Sequence, residues 1–561
     1  MRVKAFLTAA LALFSVPAAA QQAPLTATFE SFTYSGDDSA YGFGAAREGE
    51  YGNPILQGFY PDPSVTRVGD TFYLVHSTFS YFPGIPVWRS KNLVDWEQIG
   101  NAIDRPDMLD FKQLGMSRGV FAPTIQAKDG IFYILNTCVD CGGNFVITAK
   151  NPAGPWSDPV WLPALEGGID PSLFFDDDGR AWIVNNGPPE GKPEYQGHRA
   201  IWIQEFDLKT LKSFGPRTVL VNGGVDFSKK PIWIEGPHIF RKDGWYYLSC
   251  AEGGTAEGHS QVMLRSKNVT GPYLPNPNNP ILTQRDLPGD RTSRITSAGH
   301  AELVSTPDGK WWATFLAVRP YEGDFYNTGR ETFLLPVEWV DGWPMMTRDA
   351  IPVTHKRPGF YPSDRPLKAT NGPLLSIIVF AGAKLLPENW MMLRNPREQW
   401  YALGDDGLKL TARPVGLGDY GNPSFLARRQ QHLAADAETT LRFNPAKDGD
   451  RAGLAVFQND DFWAFVGIGM VGGKRVVLVE ARKGPNDSAR GVIIATAPLG
   501  GDGSETVRLS ISARGADYRF SYAVGGKSPI ELGRLDGHFL STKTAGGFIG
   551  ATLGPYAYSA R

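Results

Sequence analysis

Ile169-Asp-Pro-Ser-Leu-Phe-Phe-Asp-Asp-Asp-Gly-Arg-Ala-Trp182 reads as a strand, an Asp-Gly hairpin turn and the start of a second strand. The turn and the strand after it recur four more times: Asp70-Thr-Phe-Tyr-Leu, Asp129-Gly-Ile-Phe-Tyr, Asp243-Gly-Trp-Tyr-Tyr and Asp308-Gly-Lys-Trp-Trp. The spacing, roughly fifty to sixty-five residues, is that of propeller blades. Further strands follow in most copies, as in Val87-Trp-Arg-Ser-Lys, Phe145-Val-Ile-Thr-Ala, Ile201-Trp-Ile-Gln-Glu and Val262-Met-Leu-Arg-Ser, with no long amphipathic helix between them. Five such units predict an all-β domain over residues 52–346, a five-bladed β-propeller of four-stranded blades.

Counting eight residues back from each turn aspartate lands on Asp62, Phe121, Asp170, Glu235 and His300. The first strand of a propeller blade lines the central channel, so these positions form a ring at one mouth. Singly, Asp62-Pro63, Asp170-Pro171 and Glu235-Gly236 are ordinary turn or loop dipeptides. Three acids at one repeat position are more than turn chemistry requires. Crowded and buried carboxyl groups raise one another's pKa, so one can stay protonated while another is ionised. An acid and a base in one pocket are the equipment for glycosidic bond cleavage.

Composition narrows the remaining choices. Lys and Arg number 56 against 58 Asp and Glu, without long runs of either sign, so neither nucleic acid nor another polyanion is indicated as a partner. Arg2 and Lys4 precede an apolar run, Ala5 to Val16, that ends in Pro17-Ala-Ala-Ala20. This is the pattern of a cleavable signal over residues 1–20, and it predicts a periplasmic or secreted protein with no membrane anchor. The Cys138-x-x-Cys141 pair has no second pair to complete a zinc site. In an oxidising compartment it can close as a disulfide, leaving Cys250 as a buried thiol.

Residues 347–374 are Pro-rich, with Pro352, Pro358, Pro362, Pro366 and Pro373, and read as a linker. Beyond it, alternating strands such as Val507-Arg-Leu-Ser-Ile-Ser and Tyr518-Arg-Phe-Ser-Tyr-Ala-Val predict a second domain over 375–561, two antiparallel sheets packed as a β-sandwich. Residues 21–51 form an N-terminal segment with no clear assignment.

Six motifs, Phe59-Tyr-Pro-Asp-Pro-Ser64, Gly119-Val-Phe-Ala-Pro123, Ile169-Asp-Pro-Ser172, Glu235-Gly-Pro-His238, Gly299-His-Ala301 and Gly329-Arg-Glu-Thr332, together resemble glycoside hydrolase family 43. Ser77-Thr-Phe-Ser-Tyr-Phe-Pro-Gly84, Trp390-Met-Met-Leu-Arg-Asn-Pro396 and Arg428-Arg-Gln-Gln-His432 are most similar to its β-xylosidase and α-L-arabinofuranosidase branch, whose C-terminal domain is concanavalin-like. The resemblance implies inverting, exo-acting release of xylose or arabinose from hemicellulose oligosaccharides. It makes Asp62 the general base, Glu235 the general acid and Asp170 the group that tunes the acid. It also gives Phe79 and Phe121 to the walls of the terminal sugar subsite, and His300 and Arg330 to its hydroxyls. No cofactor is required, although some members hold calcium at the axis through the fifth-blade histidine.

Two other readings compete. A fructosidase-type propeller would carry Asn-Asp-Pro-Asn, Arg-Asp-Pro and Glu-Cys motifs, none of which appears. A propeller lectin would keep the aromatics without gathering acids at one mouth. The sandwich could bind carbohydrate or close the pocket, and the second role is preferred here. Oligomeric state is not legible.

Overall fold

The structure, a computed structural model, describes residues 24–359, 370–501 and 503–560. The segment expected to be a signal therefore lies outside the described residues, as does the middle of the Pro-rich linker.

The five blades form in chain order, each an antiparallel meander. In blade 1 the strands run Ser64–Val68, Thr71–Val75, Gly84–Ser90 and Glu97–Ile103 from axis to rim. The innermost strands of the others are Thr124–Lys128, Ile169–Phe175, Glu235–Lys242 and Thr296–Ser305. Each touches the next, and the fifth returns to the first. A separate apolar cluster fills each seam between blades. Val87 and Ile125 belong to the first, Leu135 and Ile183 to the second, Val184 and Leu248 to the third, Met263 and Leu303 to the fourth, Trp88 and Leu334 to the last. Full burial of each such side chain stabilises the fold by about 1.5–3 kcal/mol, so the alternating apolar residues of the repeat build the seams directly.

The axis is filled by polar side chains. Glu302 of blade 5 accepts hydrogen bonds from Ser64 Oγ (2.5 Å) and Val65 N (2.8 Å) of blade 1 and Gln126 Nε2 (3.1 Å) of blade 2, and lies 3.2 Å from His238 Nδ1 of blade 4. One buried carboxylate thereby ties four blades below the mouth, its charge offset by short hydrogen bonds.

The second domain is a sandwich of an eight-stranded and a seven-stranded antiparallel sheet. The N-terminal segment, left unassigned from sequence, belongs to it. Thr26–Gly36 lies inside the larger sheet, paired with Leu374–Val379, Gly407–Thr411 and Ala434–Arg442. Its alternating Ala27, Phe29, Phe32 and Tyr34 enter the core between the sheets, stepping over a bulge after Phe29. The linker also departs from the irregular chain expected, since Thr354–Lys356 pairs with Glu50–Gly52.

Several contacts fix one domain on the other, among them the following. Met392–Leu393 pairs with Tyr81–Phe82 of the propeller. Arg429 donates through Nε to the Phe59 carbonyl at 2.7 Å. Arg319 of blade 5, wholly buried, binds Glu331 and the N-terminal segment's Asp38, each at 2.6 Å.

Candidate active site

All five ring positions reach one pocket. Asp62, Phe121, Asp170, Glu235 and His300 line a cavity of about 310 Å³, together with Phe79 and Arg330. The backbone explains how a strand end aims a side chain inward. Asp62, Asp170 and His300 have φ of 54°, 53° and 52°, a left-handed conformation uncommon for residues other than glycine, while in blade 4 the positive φ falls on Gly236. Strand pairing shifts register between Ile169 and Ser172, Glu235 and His238, and Gly299 and Glu302, spanning the ring residue in each case. These are β-bulges, which re-aim side chains at sheet ends. Gly236 is also a close approach, since a Cβ there would sit 2.9 Å from the His300 ring.

The three carboxyl groups are all buried, yet their surroundings differ. Asp62 accepts from Ser77 Oγ at 2.5 Å and Arg330 Nη1 at 3.3 Å, and its Oδ1 lies 3.9 Å from His300 Nδ1. Burial pulls its pKa upward, but Arg330, His300 and Ser77 together hold it below the usual carboxylate value. Around Glu235 the charges of Arg330 and Arg199 act in the same sense but are outweighed. Burial first, then the charges of Asp170 and Asp62, push its pKa well above the usual value. Asp170 is raised by burial and by Asp62, and its Oδ2 accepts from Gly236 N at 3.1 Å, the residue next to Glu235. One pocket thus holds one carboxyl shifted toward its ionised form and another shifted toward its protonated form.

Several lining residues were not anticipated. Phe548 comes from the sandwich, stacks on Phe79 with centroids 5.9 Å apart and meets Phe121 edge-on at 5.8 Å. Its backbone N–H donates to Ser117 Oγ of the propeller at 2.9 Å. Arg199 donates to Asn186 Oδ1 at 2.6 Å, and Asn186 donates to the Ile234 carbonyl at 2.6 Å, bracing the chain that enters Glu235. Arg118 and Trp233 stand at the rim of the pocket. Ser77, the donor to Asp62, sits in a motif quoted from sequence without being singled out.

The calcium suggested by the resemblance meets an unfavourable donor set. Among the described residues no three His, Cys, Asp or Glu side chains converge to hold a metal ion, and axial Glu302 is already engaged by its own donors. Those groups do not fit a hard cation, which wants several oxygen ligands, and no step below is routed through one. The Cys138–Cys141 disulfide is formed and Cys250 is a buried free thiol. No helix among the described residues is long and apolar enough to cross a membrane.

A propeller mouth that combines a carboxyl shifted toward ionisation, another shifted toward protonation and a set of aromatic rings has the equipment of a glycoside hydrolase. The chain belongs to glycosyl hydrolases family 43, whose sequence profile matches residues 51–344, and a family of inverting enzymes. The profile of the beta xylosidase C-terminal concanavalin A-like domain matches residues 378–561. The chain is 38% identical to a xylosidase/arabinosidase of Butyrivibrio fibrisolvens, over 90% of its own length and 95% of the relative's. It is 35% identical to a non-reducing end alpha-L-arabinofuranosidase of Bacteroides ovatus, over 90% of each. A crystal structure of a GH43_12 protein retrieved from capybara gut metagenome superposes with a TM-score of 0.87 at 40% identity, covering 96% of this chain and all of that one.

Proposed function

We propose that the protein removes single terminal β-xylosyl or α-L-arabinofuranosyl residues from hemicellulose-type oligosaccharides, with Asp62 as general base and Glu235 as general acid. The observation that carries this reading is the opposite displacement of the two carboxyl groups within one closed pocket. The two displacements have the signs that an inverting displacement needs, the base shifted toward its ionised form and the acid toward its protonated form.

In the reaction a water attacks the anomeric carbon and loses its proton to the Asp62 carboxylate. Glu235 gives its proton to the glycosidic oxygen as that bond breaks. The sugar leaves inverted, and proton exchange with solvent restores both carboxyls. Asp170 holds the Gly236 amide beside the acid and, when ionised, discourages Glu235 from losing its proton early. Arg330 and His300 keep Asp62 ionised from one side and face the sugar hydroxyls from the other. Phe79, Phe121 and Phe548 enclose the apolar faces of a single ring, which suits one terminal residue.

The choice of pentose rests on the names of the relatives, a xylosidase/arabinosidase and an arabinofuranosidase. Export to the periplasm or medium is part of the same proposal, supported by the signal-like start of the chain and by the disulfide. Hydrolysis of p-nitrophenyl β-D-xylopyranoside and α-L-arabinofuranoside, with NMR of the first-formed anomer from an oligosaccharide, tests the reading. Turnover with inversion is expected; retention would overturn the role of Asp62, and no turnover of either glycoside would overturn the substrate class.

A further inference from the structure

The inner wall of the pocket is made of buried groups, Asp62, His300 and Arg330, whereas its rim carries Arg118, whose side chain is 43% exposed. In a pocket closed at one end, the terminal sugar fills the bottom and the rest of the substrate must cross the rim. Arg118 therefore faces the leaving-group sugar. Its guanidinium packs 5.9 Å from the centroid of Phe121, and its Nε donates to Asp140 Oδ2 at 2.6 Å.

Exposed ion pairs hold a side chain weakly, because water screens them and two long chains must be ordered. This pair differs in how its acid is held. Asp140 lies inside the turn Cys138-Val139-Asp140-Cys141, with φ of 64°. The turn is closed by the disulfide and by a hydrogen bond from Cys141 N to the Cys138 carbonyl. It caps the hairpin whose first strand pairs Cys138 with Val120, next to Phe121. The strand before the turn also fixes Phe121, whose N donates to the Thr137 carbonyl (3.1 Å) and whose carbonyl accepts from Asn136 Nδ2 (2.7 Å).

We propose that the disulfide-closed turn Cys138–Cys141 is a positioning element for the leaving-group subsite: it presets Asp140, which orients Arg118 toward the hydroxyls of the sugar beyond the scissile bond. Arg118 is the substrate contact, and Asp140 is a positioning residue acting through it. The inference rests on the glycosidase reading above and adds a specificity determinant outside the terminal sugar site. It accounts for a rigid turn on a loop that has no part in the chemistry.

The test compares β-1,4-xylobiose, which spans the rim, with free xylose as competitive product inhibitor, which fills only the bottom. Arg118→Ala is expected to raise KM for xylobiose by about 5–10-fold with kcat within twofold and the xylose inhibition constant unchanged. Cys141→Ser and, independently, Asp140→Asn are each expected to raise the same KM by about 2–5-fold, and to add nothing in an Arg118→Ala background. Unchanged KM in the Asp140 variant, or the same increase persisting without Arg118, would overturn the proposal. The xylose inhibition constant reports whether a variant is folded; if Cys141→Ser is not, Asp140→Asn decides alone. If the unaltered enzyme releases arabinose and not xylose, the same comparison is made with an α-L-arabinofuranosyl xylo-oligosaccharide and free arabinose, and failure to cleave any glycoside would instead sink the functional reading itself.

Discussion

The wall of the pocket around Asp62 and the wall around Glu235 start from the same chemistry, a buried carboxyl at the start of an innermost strand, and end in opposite states. Around Asp62 the fold supplies Arg330, His300 and the Ser77 hydroxyl; around Glu235 burial and two further carboxyls outweigh Arg330 and Arg199, and no described side chain donates a hydrogen bond to it. Burial alone would raise both. Partners therefore decide the role, and the blade repeat only decides that a side chain points into the mouth.

The largest expected effect breaks the comparison by removing each carboxylate in turn. Asp62→Asn should lower kcat/KM by about 10³-fold or more on every substrate, because activation of water is needed whatever leaves. Glu235→Gln should cost as much on xylo-oligosaccharides but far less on aryl glycosides, whose phenolate leaves without a proton. Steady-state kinetics on both substrate types checks this, and equal losses for Glu235→Gln on both would deny it the role of acid.

A smaller effect should follow from altering the partners alone. Arg330→Met removes the cation that holds Asp62 ionised, so the folded pKa of Asp62 moves up. The acid limb of the kcat/KM profile should shift to higher pH, and the alkaline limb, set by Glu235, should move the same way but less, because Arg330 is the leading cation on Asp62 and acts on Glu235 only behind burial and the two aspartates. A loss of about 10–100-fold at the optimum is expected, part of it from contacts to the sugar. An unmoved acid limb would mean that a group other than Asp62 titrates there.

The same contrast shows what was legible in the sequence. The ring was readable because a hairpin turn counts its own register, and a fixed offset from five turns places five side chains without any tertiary knowledge. The pKa split was not readable from that register. Ser77 and Arg330 approach Asp62 from a strand end and a loop, far apart in sequence. Phe548 was beyond reach for the same reason, since it enters from the second domain on a Gly546-Gly547 turn that looks like any surface loop. Thr26–Gly36 showed the alternation of a strand, but its partners lie more than 330 residues away, and periodicity names no partner. Both missed elements belong to the sandwich, which makes that domain part of the active site. Phe548→Ala should accordingly raise KM for the aryl glycosides by about 5–10-fold, with kcat reduced less, as apolar contact to a bound ring is lost. Unchanged kinetics would return the sandwich to a purely structural role.

The smallest effect is on stability, and it carries opposite signs on the two walls. The folded pKa of Glu235 is raised above its unfolded value of about 4.3. Between those two values the folded chain keeps a proton that the unfolded chain has lost, so wild-type stability falls as pH rises through the window. Glutamine imitates the protonated form at every pH. Glu235→Gln should therefore match wild type near pH 4 and exceed it progressively above, by about 1–4 °C in Tm at neutral pH. The folded pKa of Asp62 is depressed instead, so its contribution is present above the unfolded value of about 3.9 and is lost as pH falls through the folded one. Asp62→Asn should lower Tm at neutral pH and converge with wild type in acid. In melting curves from pH 3 to 8, Glu235→Gln should gain on wild type as pH rises above about 4, whereas Asp62→Asn should lie below wild type throughout the neutral range and close the gap only below about pH 4; offsets of the same sign at neutral pH would show that the two walls do not differ in the way their partners imply.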